Sequence, residues 1–96
     1  GEVATRAAAA TVSDAVAAVD AAAAAFPAWS ALGPNERRAK LNAAADLMQQ
    51  RAEDFAAAMM TETGSTKGWA LFKVGLAAGM LREAGAMTTQ ITGDVI

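Results

Sequence analysis

Alanine supplies most of the hydrophobic content of this chain, and that choice of residue constrains what it can fold into more than any other feature. A run such as Ala21 to Ala25 offers a methyl group where a conventional core offers a leucine. Burying the smaller group stabilises the fold by roughly 2–3 kcal/mol less per site, at about 0.8 kcal/mol per methylene. Ordering the backbone costs about 1–2 kcal/mol per residue, so a thin core is expected to leave a chain of 96 residues only marginally stable. That length suffices for one small domain and is too short for a nucleotide-binding domain plus a substrate domain.

Charge and special residues narrow the function classes. The net charge is −2 and there is no histidine, which argues against a nucleic-acid binder, since such proteins present a basic face to the phosphates. No stretch approaches the ~20 uncharged apolar residues of a membrane span, and no basic start leads into an apolar run and a cleavage site. The expectation is a soluble, untargeted chain in the cytoplasm, with neither nucleic acid nor membrane as partner. Without cysteine there is no disulfide, no thiolate nucleophile and no cysteine-held metal among these residues. The start at Gly1-Glu2-Val3 and the apolar close at Val95-Ile96 predict a piece of a longer chain.

Local signals predict a mainly α unit of three to four helices plus a weak strand over Val3 to Ala9. Thr11 and Asp14 have capping-box spacing, so a helix is predicted from Val12, with a stripe at Val12, Val16, Val19, Ala23 and Phe26. Pro27 is expected to stop it. Gly33-Pro34-Asn35-Glu36 signals a second helix, from Pro34 to about Arg51, with Leu41, Ala44, Ala45 and Met48 on one face and Arg37, Lys40 and Arg51 in water. Ala52 to Thr63 is predicted to continue helical, Phe55, Ala58 and Met59 inward, and to end on Gly64 as a left-handed cap. Thr66 to about Ile91 reads as one long helix whose glycines at 68, 75, 79 and 85 mark close approach. Nothing separates these elements as a linker, and 1–96 is expected to be a single unit.

Five fragments stand in one order and register: Ala10-Thr11-Val12-Ser13-Asp14-Ala15-Val16-Ala17-Ala18-Val19, Phe26-Pro27-Ala28-Trp29, Glu36-Arg37-Arg38, Ala45-Asp46-Leu47-Met48 and Glu62-Thr63-Gly64. Together they resemble the N-terminal part of the aldehyde dehydrogenase superfamily along the whole chain. Most members of the superfamily carry Gly-Lys-Pro after the glycine matching Gly64, whereas Gly64-Ser65-Thr66-Lys67-Gly68-Trp69, with Met80-Leu81-Arg82-Glu83-Ala84 and Thr88-Thr89-Gln90-Ile91-Thr92-Gly93, is similar to the branch that oxidises salicylaldehyde and vanillin.

The resemblance implies a parent of α/β architecture with a Rossmann-like cofactor domain, of which this segment forms the N-terminal part. It implies NAD or NADP as the parent's cofactor and an aromatic aldehyde as its substrate. The family's cysteine attacks the aldehyde, hydride passes to the nicotinamide, and a glutamate activates the water that hydrolyses the thioester. None of those groups is recognisable here, so no catalytic residue, cofactor-binding residue or metal ligand is expected within these 96 residues. Gly75 and Gly79 fall within a helix instead of a phosphate-binding turn. Some relatives hold an alkali metal ion near the residue matching Glu62, but Glu62 and, further back, the neighbouring pair Glu53 and Asp54 read here as solvated.

Trp69, Phe72 and Leu76 recur at i, i+3 and i+7 and share one helix face. The family's long helix runs beside the tunnel by which aldehyde reaches the cysteine, so the resemblance makes these three candidates for a wall of that tunnel. An aromatic stripe at this spacing is equally the way a helix meets a core, and both readings stand at this point. The expected partners are the rest of the parent chain and, through uncovered faces, other copies of this one. A different reading is a stand-alone helical interaction or self-association module using Met59, Met60, Met80 and Met87 as adaptable contacts.

Overall fold

The computed structural model describes residues 1–96 and contains four α-helices: α1 (Val12–Ser30), α2 (Pro34–Gln50), α3 (Ala52–Thr63) and α4 (Lys67–Ala86), the last followed by a 3-10 turn at Met87–Gln90. The chain divides into two units, Gly1–Gly33 and Pro34–Ile96. No helix is long and apolar enough to cross a membrane.

In the first unit, residues 1–11 form no regular element, and the strand expected over Val3 to Ala9 is absent. The cause is twofold: alanine has low β-propensity, and no other strand exists in the chain to accept and donate its backbone hydrogen bonds. Helix α1 starts at the predicted capping box. The Asp14 amide donates to Thr11 Oγ1 at 3.3 Å, and Asp14 Oδ2 accepts from the Thr11 amide and hydroxyl, each at 2.8 Å.

Pro27 does not stop α1, which runs three residues further, to Ser30. A proline here removes the single bond its own amide would have made one turn back. Downstream the ladder resumes, with the Ala31 amide donating to the Pro27 carbonyl at 3.2 Å and the Ser30 hydroxyl adding a bond to the same oxygen at 3.0 Å. Every residue of α1 is exposed, including Val12, Val16, Val19 and Phe26.

The second unit is a small bundle in which α4 lies against both α2 and α3. Helices α2 and α3 are not continuous: Arg51 leaves helical geometry at φ −103°, ψ 22°, and α3 restarts after it. At the end of α3, Gly64 takes φ 68° and its amide reaches the Met60 carbonyl at 3.0 Å, the left-handed cap predicted. Thr66 then caps α4, its hydroxyl accepting from the Trp69 amide at 3.3 Å.

The core is Ala45, Ala56, Ala70, Val74 and Ala78, and no large side chain is fully buried. The thin core expected from composition is therefore the core observed. Its register differs in part from the predicted inward faces. Ala45 is buried as expected, with Leu41, Met48 and Met59 half-buried, whereas Ala44, Phe55 and Ala58 are exposed and Ala56 takes the inner position on α3. Arg37, expected in water, is half-buried. Of the four helical glycines, only Gly85 meets close neighbours; Gly68, Gly75 and Gly79 face open space.

Candidate functional site

Helix α4 has two faces of opposite use. Ala70, Val74, Ala78 and Gly85 are buried on one of them. Successive helical residues are separated by about 100°, which places Trp69, Phe72, Leu76, Met80 and Met87 together on the opposite side. All five are exposed, with Trp69 at 53%, Phe72 at 56% and Leu76 at 45%. The candidate trio therefore does not form the core of this unit; it faces away from it.

The outer face is ordered from its N-terminal end. The Thr66 cap fixes the first turn of α4, and Trp69 stands at the third position of that turn. Its ring stacks on Phe72 with centroids 5.3 Å apart and planes 30° apart, an arrangement that contributes about 0.5–1.5 kcal/mol beyond area burial. The Lys73 ammonium lies 5.2 Å from the Trp69 ring centroid, a cation–π distance. Leu76, Met80 and Met87 carry the apolar strip onward. Lys73 and the two methionines were missing from the sequence-based trio, although their spacings of +4, +11 and +18 from Trp69 place them on the same face.

The inner side of α4 is held at its C-terminal end. Arg38 Nε donates to the Gly85 carbonyl at 3.1 Å, and the buried Thr88 hydroxyl donates to the same oxygen at 2.9 Å. Arg82 reaches Asp46 at 2.8 Å and Gln49 at 2.7 Å. Near the other end, Lys67 pairs with Glu53 at 3.0 Å. These contacts orient α4 on α2 and α3, and so set where its aromatic face points.

Glu53 and Asp54 are each engaged with a cation in solvent, Lys67 and Arg51 respectively, and Glu62 is exposed. No three acidic, histidine or cysteine side chains come together as a metal set. The Asp14 carboxylate is held below its ordinary range because it accepts hydrogen bonds from the Thr11 amide and hydroxyl, and it serves a helix cap. Gly75 and Gly79 lie inside α4, where backbone amides bond to the preceding turn instead of pointing at a pyrophosphate.

Comparison with known proteins gives the family to which this chain belongs. The model of the aldehyde dehydrogenase family matches residues 1–96. The chain belongs to the aldehyde dehydrogenase family. It is 62% identical over 96 residues to a vanillin dehydrogenase of a Pseudomonas species, covering 100% of this chain and 20% of that protein. A vanillin dehydrogenase of Pseudomonas fluorescens is 56% identical over the same length, again with 20% of that protein covered. A salicylaldehyde dehydrogenase of Pseudomonas putida is 43% identical over 95 residues, or 99% of this chain and 20% of the relative. The chain thus spans about a fifth of the length of these aldehyde dehydrogenases.

Proposed function

We propose that this segment is the N-terminal part of the cofactor-binding domain of an NAD(P)-dependent aldehyde dehydrogenase that oxidises an aromatic aldehyde to its carboxylate in the cytoplasm. The segment supplies outer helices and one wall of the substrate tunnel, formed by Trp69, Phe72 and Leu76. The observation that carries this reading is the exposed, mutually stacked Trp69–Phe72 pair on the outer face of α4, in a chain whose relatives include vanillin and salicylaldehyde dehydrogenases.

A flat apolar ring is recognised by stacking or edge contacts to other rings, each contributing about 0.5–1.5 kcal/mol. Trp69 therefore shifts substrate preference several-fold and does not act as a switch. The nucleophile, the general base and the dinucleotide cradle belong to the remainder of the enzyme, since these residues contain no cysteine and no suitable glycine turn. What this chain contributes is shape: the Thr66 cap and the Arg38–Gly85 contact hold α4 so that its aromatic face stays fixed while substrate docks.

The test is Trp69→Ala in the full-length enzyme. It lowers kcat/KM for salicylaldehyde or vanillin more than for a short aliphatic aldehyde; equal losses for both classes reject the wall.

A further inference from the structure

We infer that Lys73 is a specificity-determining residue on this wall, favouring aromatic aldehydes that carry an ionised ring oxygen over those that do not; the inference rests on the proposed role of the Trp69 face. The cations holding α4 to its neighbours are engaged: Lys67 with Glu53, Arg82 with Asp46, and Arg38 with the Gly85 carbonyl. Lys73 differs. Its ammonium is set 5.2 Å from the Trp69 ring, and the positions one helical turn away, Trp69, Ala70, Leu76 and Ala77, offer no carboxylate. The acidic residue sharing its face, Glu83, lies ten positions on, about 15 Å along the helix axis at 1.5 Å per residue.

A cation over an aromatic face is positioned without being neutralised, because the ring contributes a quadrupole and no net charge. Lys73 therefore presents a full positive charge at the edge of the surface proposed to receive a substrate ring. An aldehyde conjugated to a ring hydroxyl makes that hydroxyl unusually acidic, since the phenolate charge spreads onto the carbonyl oxygen. A ring lying along Trp69 and Phe72 with its phenolate toward Lys73 satisfies both the apolar and the charged part of the surface. Phe72 and Leu76 alone do not distinguish a hydroxylated ring from its methyl ether.

The experiment uses the full-length enzyme and two aldehydes, vanillin and its O-methyl ether, at a pH where vanillin is ionised as judged by its absorbance. The readout is the ratio of kcat/KM for vanillin to that for the ether. Lys73→Met, which keeps the side-chain length, lowers this ratio roughly two- to fivefold, the range of a solvent-screened ion pair, and Lys73→Arg restores it. Raising the salt concentration narrows the difference between the wild type and Lys73→Met. A ratio unchanged in Lys73→Met, in an enzyme where Trp69→Ala does reduce the preference for aromatic over aliphatic aldehydes, overturns the role of Lys73 and leaves the wall standing. A preference indifferent to Trp69→Ala overturns the wall and the role of Lys73 with it.

Discussion

Gly85 of α4 lies so near Asn42 of α2 that a Cβ added to it would stand 3.1 Å from Asn42 Oδ1, with Arg38 Cγ and the Arg38 carbonyl each at 3.6 Å. The same residue's carbonyl receives both Arg38 and Thr88. A side chain here therefore meets the neighbouring helix and the hydrogen bonds that anchor it. Alanine regains up to about 1 kcal/mol of helix propensity, and the tight contact is with the end of a side chain that can turn away by a few tenths of an ångström. Gly85→Ala is expected to be close to neutral. Gly85→Leu overpacks the contact and destabilises by about 1–3 kcal/mol, read as a lower urea midpoint by circular dichroism. A leucine variant as stable as the wild type would show that α2 and α4 are not in close contact here.

Loss of the Thr66 hydroxyl should loosen the start of α4. Thr66→Ala removes the acceptor for the Trp69 amide and costs about 1 kcal/mol. Amide exchange then speeds up at Gly68 and Trp69 before it changes at Val74 or Ala78, and Thr66→Ser restores protection. Uniform acceleration along α4 would mean that the cap acts on the whole unit and not on the turn that carries Trp69.

Asp14 gives α1 an acid-sensitive start. Its folded-state pKa is lowered from the ordinary 3.8 by hydrogen bonds from the Thr11 amide and hydroxyl. A depressed carboxylate stabilises the helix at every pH above its unfolded value, and that contribution disappears as pH falls through the lower folded value. An NMR titration should place the Asp14 midpoint below 3.8, together with loss of helical shifts at the start of α1. Asp14→Asn removes this titration step. A midpoint at or above the ordinary value contradicts the cap.

Polar punctuation made much of this fold legible in the sequence. The Thr11–Asp14 box and Gly64 each act through a local hydrogen-bond or dihedral requirement that no neighbour can override, and both appear where the residues predicted them. Alanine-rich stretches were harder to read. Between Phe55 and Met59, three successive alanines give almost no contrast in size or hydropathy, so periodicity placed Ala58 inward where packing selects Ala56. Pro27 failed as a stop because losing one backbone bond near the end of a long helix is tolerable when the following amides find acceptors. The aromatic trio was legible as one face, but its direction was not: only the packing of Ala70, Val74 and Ala78 decides that Trp69, Phe72 and Leu76 point away from the core.

That outward direction predicts association of the 96-residue chain when it is prepared alone. Leu76 and Met80 are exposed on α4 beside Trp69 and Phe72, and Val16, Val19 and Phe26 are exposed on α1. Contiguous apolar surface of this kind is usually covered in a soluble protein, and a core of small side chains leaves little reserve to resist rearrangement. Light scattering at tens of micromolar is expected to report a dimer or a larger species. Replacing Leu76 and Met80 together by glutamate places charge in the middle of the α4 face and shifts the population toward monomer; the same change at Val16 and Val19 tests α1 separately. If only the α1 pair matters, association is not driven by the face that carries Trp69. A wild-type chain that stays monomeric at these concentrations would show that neither face is sticky enough to need a cover.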